Sequence, residues 1–346
     1  MDILQKSFDK AVREQLEAAT SEIELEEISD AAPTQFGSLL SELPGGILSS
    51  VKAMANEGLT ERRKLHDGFV ERNVCRWREG FDLLELQIEI AIEAGDSFNG
   101  RLRPYAAAKG DVLFDSLVRL HAKGCLISKE IIVLLKNGYA DGGHARWRAL
   151  HEISVTAMFL AIHGSEAAKG YLDHEFVEAY RGASQLNKYQ SRLNASAFSE
   201  QELAEFKSQY ETVIEQYGKR FGKPYGWAAP FLDSRNPTFF ALEEKVGLDH
   251  WRPYYKWASQ NVHANVKAIR QSLGLSEAVN DMLQVGPSNS GMTDPAHSTA
   301  ISLLQLTCTL LLSEPNLDGI VMTKMLAALT DEIGDSFVKC SERTAS

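Results

Sequence analysis

The chain has 346 residues, 44% of them hydrophobic, and a formal net charge of −11; that supports one large core or two smaller ones and argues against a surface coated with phosphate contacts, although a local basic stripe could still bind RNA. Its four cysteines, Cys75, Cys125, Cys308 and Cys340, have no paired spacing, which speaks against a zinc knuckle or a disulfide framework and fits a reducing cytoplasm. The longest apolar runs, 153–162 and 301–312, are too short to cross a bilayer, and the N-terminus lacks a basic-then-apolar signal pattern, so a cytoplasmic protein without a membrane partner is expected.

Residues 1–30 carry a charged, mixed helical pattern in which Ser21-Glu22-Ile23-Glu24 reads as a capping box. Ala31 to Gly46, with two prolines and three glycines, predicts a break between helices. From Leu59 to Ala94 the pattern is helical again, with Trp77, Phe81, Leu84, Ile88 and Ile92 on one face, and Gly95 to Pro104 predicts a second interruption. Residues 111–136 are the clearest amphipathic helix: Leu113, Leu117, Leu120, Ile127, Ile131 and Leu134 recur at three- and four-residue steps, with charges opposite. A turn at Gly138 then leads into a long helix from about Tyr139 to Ile162, which gives an antiparallel helix hairpin. His163-Gly164-Ser165 closes that helix and starts another.

Ser199-Glu200-Gln201-Glu202 is a second capping box. Residues 218–237 change character: their glycines and prolines mark irregular backbone, while Tyr225, Trp227 and Phe231 need covering, so the segment is expected to fold over the bundle and bury Trp227. Residues 251–273 return to helix, and two closing helices follow at about 296–313 and 317–340. No strand alternation or internal repeat is present. The reading is an all-α multi-helix bundle built on a long antiparallel hairpin: an N-terminal helical region (1–100), a core domain (101–275) and a C-terminal helical pair (276–346).

The hairpin's second helix opens with an unusual density of polar groups. His144, Arg148, His151 and Val155 lie at steps of four, three and four, so one face carries His-Arg-His before turning apolar. Arg148 and Glu152, four apart, read either as a structural ion pair at a partly buried helix entry or as groups in a cleft. On 251–273, Tyr255, Ala258, Val262, Val266, Ile269 and Leu273 form an apolar face, with Lys256, Gln260, His263, Lys267 and Arg270 opposite. That stripe is either a solvated face or a binding face, and His263 is its member least needed for solubility. His144, His151, Glu152, His174, Glu175 and His263 lack H-E-x-x-H or paired E-x-x-H spacing, so no metal or other cofactor is expected. No G-x-S-x-G elbow or glycine-rich phosphate loop occurs.

Leu134 to Gly142, Ala145 to Glu152, Tyr225-Gly226-Trp227-Ala228, and Tyr255 with Ser259 and Val262-His263 resemble a bacterial helical family catalogued as domain of unknown function family 5677, over roughly residues 75–275. The chain is more loosely similar to the HEPN superfamily of helical bundles, whose active members are metal-independent ribonucleases that commonly dimerise and carry an arginine, four to six residues and then a histidine. Arg146 with His151 has four intervening residues; Lys256 with His263 has six, with lysine in the arginine's place. The resemblance implies that His263 or His151 moves a proton to or from the RNA 2′-hydroxyl and leaving oxygen, and that Lys256, Arg146 or Arg148 stabilises the phosphorane charge. In related helical families an Arg-x-x-x-Glu pair, as in Arg148 to Glu152, is often structural and the catalytic histidine comes in a later helix, which favours His263; Tyr139, Tyr255, Ser259, Asn261, Lys267 and Arg270 are expected to hold substrate. Arg148, Glu152 and His263 are then expected to converge in one cleft. The implied setting is phage defence or a toxin–antitoxin system, with RNA, an antitoxin or another defence protein as partner and a homodimer as assembly. The alternative from a different class is a non-catalytic helical sensor or assembly module that binds a nucleotide or a partner protein.

Overall fold

Helical periodicity governs the chain, and the computed structural model, which describes residues 2–232, 236–263 and 265–343, contains eleven α-helices and no strand among those residues. They are α1 (Ile3–Ala18), α2 (Glu22–Lys109), α3 (Val112–Lys136), α4 (Ala140–Asp173), α5 (Glu175–Leu193), α6 (Glu200–Tyr217), α7 (Phe239–Val246), α8 (Arg252–Val262), α9 (Val266–Arg270), α10 (Thr293–Leu312) and α11 (Leu317–Glu342). Two compact units divide the chain at Phe69 and Val70.

The first unit holds α1 and the beginning of α2, with Phe8 edge-on to Phe36 at 5.3 Å. At its second helix start, Ser21 Oγ accepts from the Glu24 N–H, and the Glu24 carboxylate reaches back to accept from the Thr20 N–H and hydroxyl. The expected break at Ala31–Gly46 is absent, because α2 runs helical through Pro33, Pro44, Gly45 and Gly46. A proline deletes its own N–H bond and crowds one carbonyl, which leaves the flanking hydrogen bonds of a long helix in place. Gly95–Pro104 is helical too. There Gly95 and Phe98 are buried, and tertiary packing outweighs weak local propensity.

The second unit is organised on the α3–α4 hairpin. Asp111 caps α3 by accepting from the Phe114 N–H at 3.0 Å. At the other end Gly138 takes φ 84°, its N–H bonds Leu135 O, and the Tyr139 N–H bonds Leu134 O, both at 2.9 Å. These two bonds form a Schellman motif, which needs the left-handed residue that glycine supplies. Buried Asn73 of α2 donates to the carbonyls of Leu135 and Lys136, each at 2.9 Å, and satisfies acceptors that a helix end leaves open. Gly143 keeps the crossing close: a Cβ there would stand 2.7 Å from Leu135 Cδ2. Leu117, Ile127, Ile131 and Leu135 of α3 meet Trp147, Leu150, Val155 and Phe159 of α4 in the core.

α10 lies against both hairpin helices and α11 packs on α10. Trp147 Nε1 donates to Ser302 Oγ at 2.9 Å, and Gln87 Nε2 donates to Ala300 O and Thr330 Oγ1. The closing helices therefore stand where periodicity places them. Gly164, at φ 74° and ψ −160°, breaks the helical path after Ile162 as expected. Ser199 and Glu202 form a complete reciprocal capping box. Trp227 is buried edge-on to Phe159 (5.5 Å) and Tyr171 (5.1 Å), so the aromatic loop does fold onto the bundle.

The expected helix over 251–273 is interrupted. α8 ends at Val262, His263 and Asn265 are extended, and α9 lasts only five residues. Tyr255, Ala258 and Leu273 of its apolar face are buried, whereas Val262, Val266 and Ile269 are exposed. A helix depends chiefly on burying its apolar face, and this one loses that support after Val262.

Candidate functional site

α4 presents its polar entry toward α7 and α8, and there the side chains close on one another. Arg148 Nε donates to Glu152 Oε1 at 3.0 Å and to Tyr255 Oη at 2.9 Å, while the Tyr255 hydroxyl donates to Glu152 Oε1 at 2.5 Å. One turn further in, His151 Nε2 lies 3.0 Å from Glu243 Oε1, and Arg252 Nη1 stands 2.8 Å from Glu243 Oε2. His151 and Glu243 are 1% and 0% exposed as side chains. A carboxylate oxygen accepts, so the imidazole donates from Nε2. Both guanidiniums also lie over the Tyr255 ring, Arg148 at 4.9 Å and Arg252 at 5.0 Å from its centroid.

The electrostatics follow from burial. Desolvation, reinforced by Glu152, drives the Tyr255 phenol well above its ordinary range, and burial with the same carboxylate nearby lifts Tyr225 to about 12. Both phenols stay protonated, the form in which Tyr255 donates to Glu152. Two carboxylates, Glu152 and Glu243, match two guanidiniums, Arg148 and Arg252. The cluster is self-neutralising and offers no unmatched charge to a substrate.

Of the residues singled out in the sequence, the structure joins Arg148, Glu152 and Tyr255 directly and sets His151 beside them, its ring 5.9 Å from that of Tyr255. Arg146 turns to α3 and pairs with Glu130, so the Arg146–His151 spacing separates two residues held by different helices. Ser259 Oγ donates to Tyr255 O of its own helix at 2.7 Å. Lys256 is exposed. His263 is exposed just past the last residue of α8, and no hydrogen bond or ion pair among the described residues links it to Arg148 or Glu152. Because the helix ends there, Lys256 and His263 do not share a continuous helical face with Lys267 and Arg270.

Tyr139, Asn261 and Arg270 instead line an open cavity of about 1170 Å³, together with Asp141, Ile269 and Leu283. Asp141 is already engaged: its carboxylate accepts from Ser272 Oγ and from the N–H groups of Leu273 (3.0 Å) and Gly274 (3.2 Å). Asn261 Nδ2 is buried with no hydrogen-bond partner among the described residues. Lys267 reaches over the Trp257 ring at 5.9 Å. Around this cavity Val266, Ile269, Val279, Leu283 and Val285 are 61% to 96% exposed.

Glu243, Arg252 and Tyr225 escaped the sequence reading. Glu243 sits in Leu242-Glu243-Glu244-Lys245, which looks like a solvated helix surface, and only its register with buried Phe239 and Leu242 separates it from Glu244. No group of three or more His, Cys, Asp or Glu side chains among the described residues could hold a metal ion, and no helix among them is long and apolar enough to cross a membrane.

No curated protein and no solved structure matches the chain. The closed cluster and most of the residues lining the cavity fall inside the segment 114–281, over which the chain matches the model of a family of unknown function, DUF5677.

Proposed function

We propose that this chain is a non-catalytic helical assembly module that takes an amphipathic, acidic-flanked segment of another protein on the surface formed by residues 262–285. The observation that carries this reading is the exposed apolar surface: Val262, Val266, Ile269, Val279, Leu283 and Val285 are 52% to 96% exposed beside an open cavity. Contiguous exposed apolar side chains with a polar rim mark interaction sites. Arg270, which lines the cavity, and Lys267 in the same short helix supply cations at its edge, both exposed and without an ion-pair partner among the described residues, so acidic flanks on the incoming segment complement them. The test is fluorescence anisotropy of labelled amphipathic helical peptides with equal apolar content and either acidic or basic flanks. We expect the acidic set to bind and to lose at least tenfold in affinity for Ile269→Asp. Absence of binding by every peptide, or equal binding by Ile269→Asp, refutes the reading.

A HEPN-like, metal-independent ribonuclease in a defence or toxin–antitoxin setting is the second reading. It is favoured by one placement: exposed His263 lies two residues beyond Asn261, which lines the same cavity as Tyr139 and Arg270. His263 would then exchange the proton at the 2′-oxygen from the cavity rim while Arg270 meets the phosphate. Lys256 and His151 are less suited, the first because it lies on the exposed face of α8 and the second because it is sealed against Glu243. This reading requires RNA cleavage in EDTA that is lost in His263→Ala and weakened in Arg270→Ala.

A further inference from the structure

We infer that the first unit is a self-association device: two copies of the chain pair antiparallel along the beginning of α2, with the two-fold axis at the level of Gly45. The need for a partner comes from burial. Among the side chains described in residues 2–69, not one is buried, although the segment holds a line of large apolar residues. Phe36, Leu39, Leu43, Ile47, Val51 and Met54 keep one side of α2, and their exposure runs from 37% at Leu43 to 68% at Met54. α1 covers this line only in part, leaving a cavity of about 710 Å³ lined by Phe8, Val12, Phe36, Leu43 and Ile47. A helix hairpin with no buried residue gains almost nothing from hydrophobic burial, and apolar stripes of this kind are completed by a further helix.

Two features identify that helix as a second copy, and both read from the order of residues. The apolar line is palindromic: Phe36 and Met54, Leu39 and Val51, Leu43 and Ile47 are pairs whose numbers all sum to 90. Antiparallel pairing of identical helices brings residues of constant sum to the same level, so every apolar layer on one copy meets an apolar layer on the other. This is the isologous condition of a two-fold interface. Charge supports the same register. Residues 22–30 contain Glu22, Glu24, Glu26, Glu27 and Asp30 and no basic residue, while Arg62, Arg63 and Lys64 form the only basic run in the unit. About the same centre, the acidic stretch of each copy lies beside the basic run of the other, with Glu26 and Arg62 on one flank. Parallel pairing sets acid against acid and base against base, which disfavours it. α1 fits the arrangement, because it packs on the N-terminal half of its own helix and so lies beside the uncovered half of its partner's.

The test uses the full chain. Light scattering after size exclusion should give a dimer at micromolar concentration, and Leu43→Glu should give a monomer with the thermal transition of the second unit retained. Arg62→Glu/Arg63→Glu/Lys64→Glu should weaken the dimer at least tenfold, and adding Glu22→Lys/Glu26→Lys/Glu27→Lys should restore it. Spin labels placed singly at Lys52→Cys and Thr60→Cys, in a Cys75→Ser/Cys308→Ser background, report the register. With a rise of 1.5 Å per residue, the antiparallel register separates the labels axially by about 21 Å at position 52 and about 45 Å at position 60. A monomeric wild type, a dimer indifferent to Leu43→Glu, or equal label distances at the two positions would overturn the inference.

Discussion

The entry of α4 and the stretch from α8 to Val285 start from similar material, an apolar face bordered by histidine, arginine and lysine, and they end in opposite states. At α4 every charged group has found its complement: Arg148, Glu152 and Tyr255 form a closed triangle, and His151, Glu243 and Arg252 a buried chain. Beyond Val262 the helix stops, apolar side chains face outward, and the cations stand apart. Polar density in a sequence therefore does not locate a binding surface. What distinguishes the two regions is whether partners for those groups come from the same chain.

The largest effect that sharpens this contrast should come from Glu243→Ala. Removing the carboxylate leaves Arg252 and His151 uncompensated next to a buried site, and breaking a buried pair from one side costs about 3–5 kcal/mol. Urea unfolding of the full chain measures it, and a loss under about 1 kcal/mol would falsify the structural role of the cluster. Asn73→Ala comes next, at about 1–3 kcal/mol, because it strands two carbonyls at the end of α3. Hydrogen exchange should show the Gly138 turn opening first, and unchanged protection there would count against this anchoring. Arg148→Ala should cost less, about 1 kcal/mol, since the side chain is partly solvated and screened; a melting temperature equal to wild type would mean that the triangle is idle in the folded state.

Acid should separate the regions in another way. Burial lowers His144 and His121 from an ordinary 6.5 to about 4. Both are neutral in the folded chain when the unfolded chain already binds protons, so their contribution is full above about pH 6.5 and is lost as pH falls toward 4. Among the described residues neither ring nitrogen of His144 has a hydrogen-bond partner, and His144→Leu should flatten the decline in urea midpoint between pH 7 and pH 5. An unaltered slope would place the acid sensitivity elsewhere. The smallest effect belongs to the outer surface: Ile269→Asp and Leu283→Asp should change stability by no more than about 0.5 kcal/mol, and a larger loss in unfolding experiments would show that these side chains pack in the isolated chain.

Much of the fold was legible, for definite reasons. The α3–α4 hairpin follows from three- and four-residue apolar steps ended by Asn137-Gly138, and the Ser199 box and buried Trp227 follow from equally local rules. The misread breaks at Ala31–Gly46 and Gly95–Pro104 rested on proline and glycine as absolute signals, whereas one missing hydrogen bond interrupts a long helix only when nothing else sustains it. The opposite error occurred at His263, where periodicity continued but burial did not. Half of the polar cluster was legible, because Arg148 and Glu152 are neighbours on one helix turn. Glu243 and Arg252 were not, because Glu243 meets His151 only through the docking of α7 against α4, 92 residues apart in the chain, and Arg252 reaches Glu243 only from the start of α8.

The most direct measurement is RNA integrity after incubation of the purified chain with total RNA in EDTA, comparing wild type, His263→Ala and His151→Ala. A closed, self-neutralised cluster and an assembly role for the open surface lead us to expect intact RNA with all three. Cleavage by wild type that disappears in His263→Ala would contradict this view and establish the exposed histidine as catalytic.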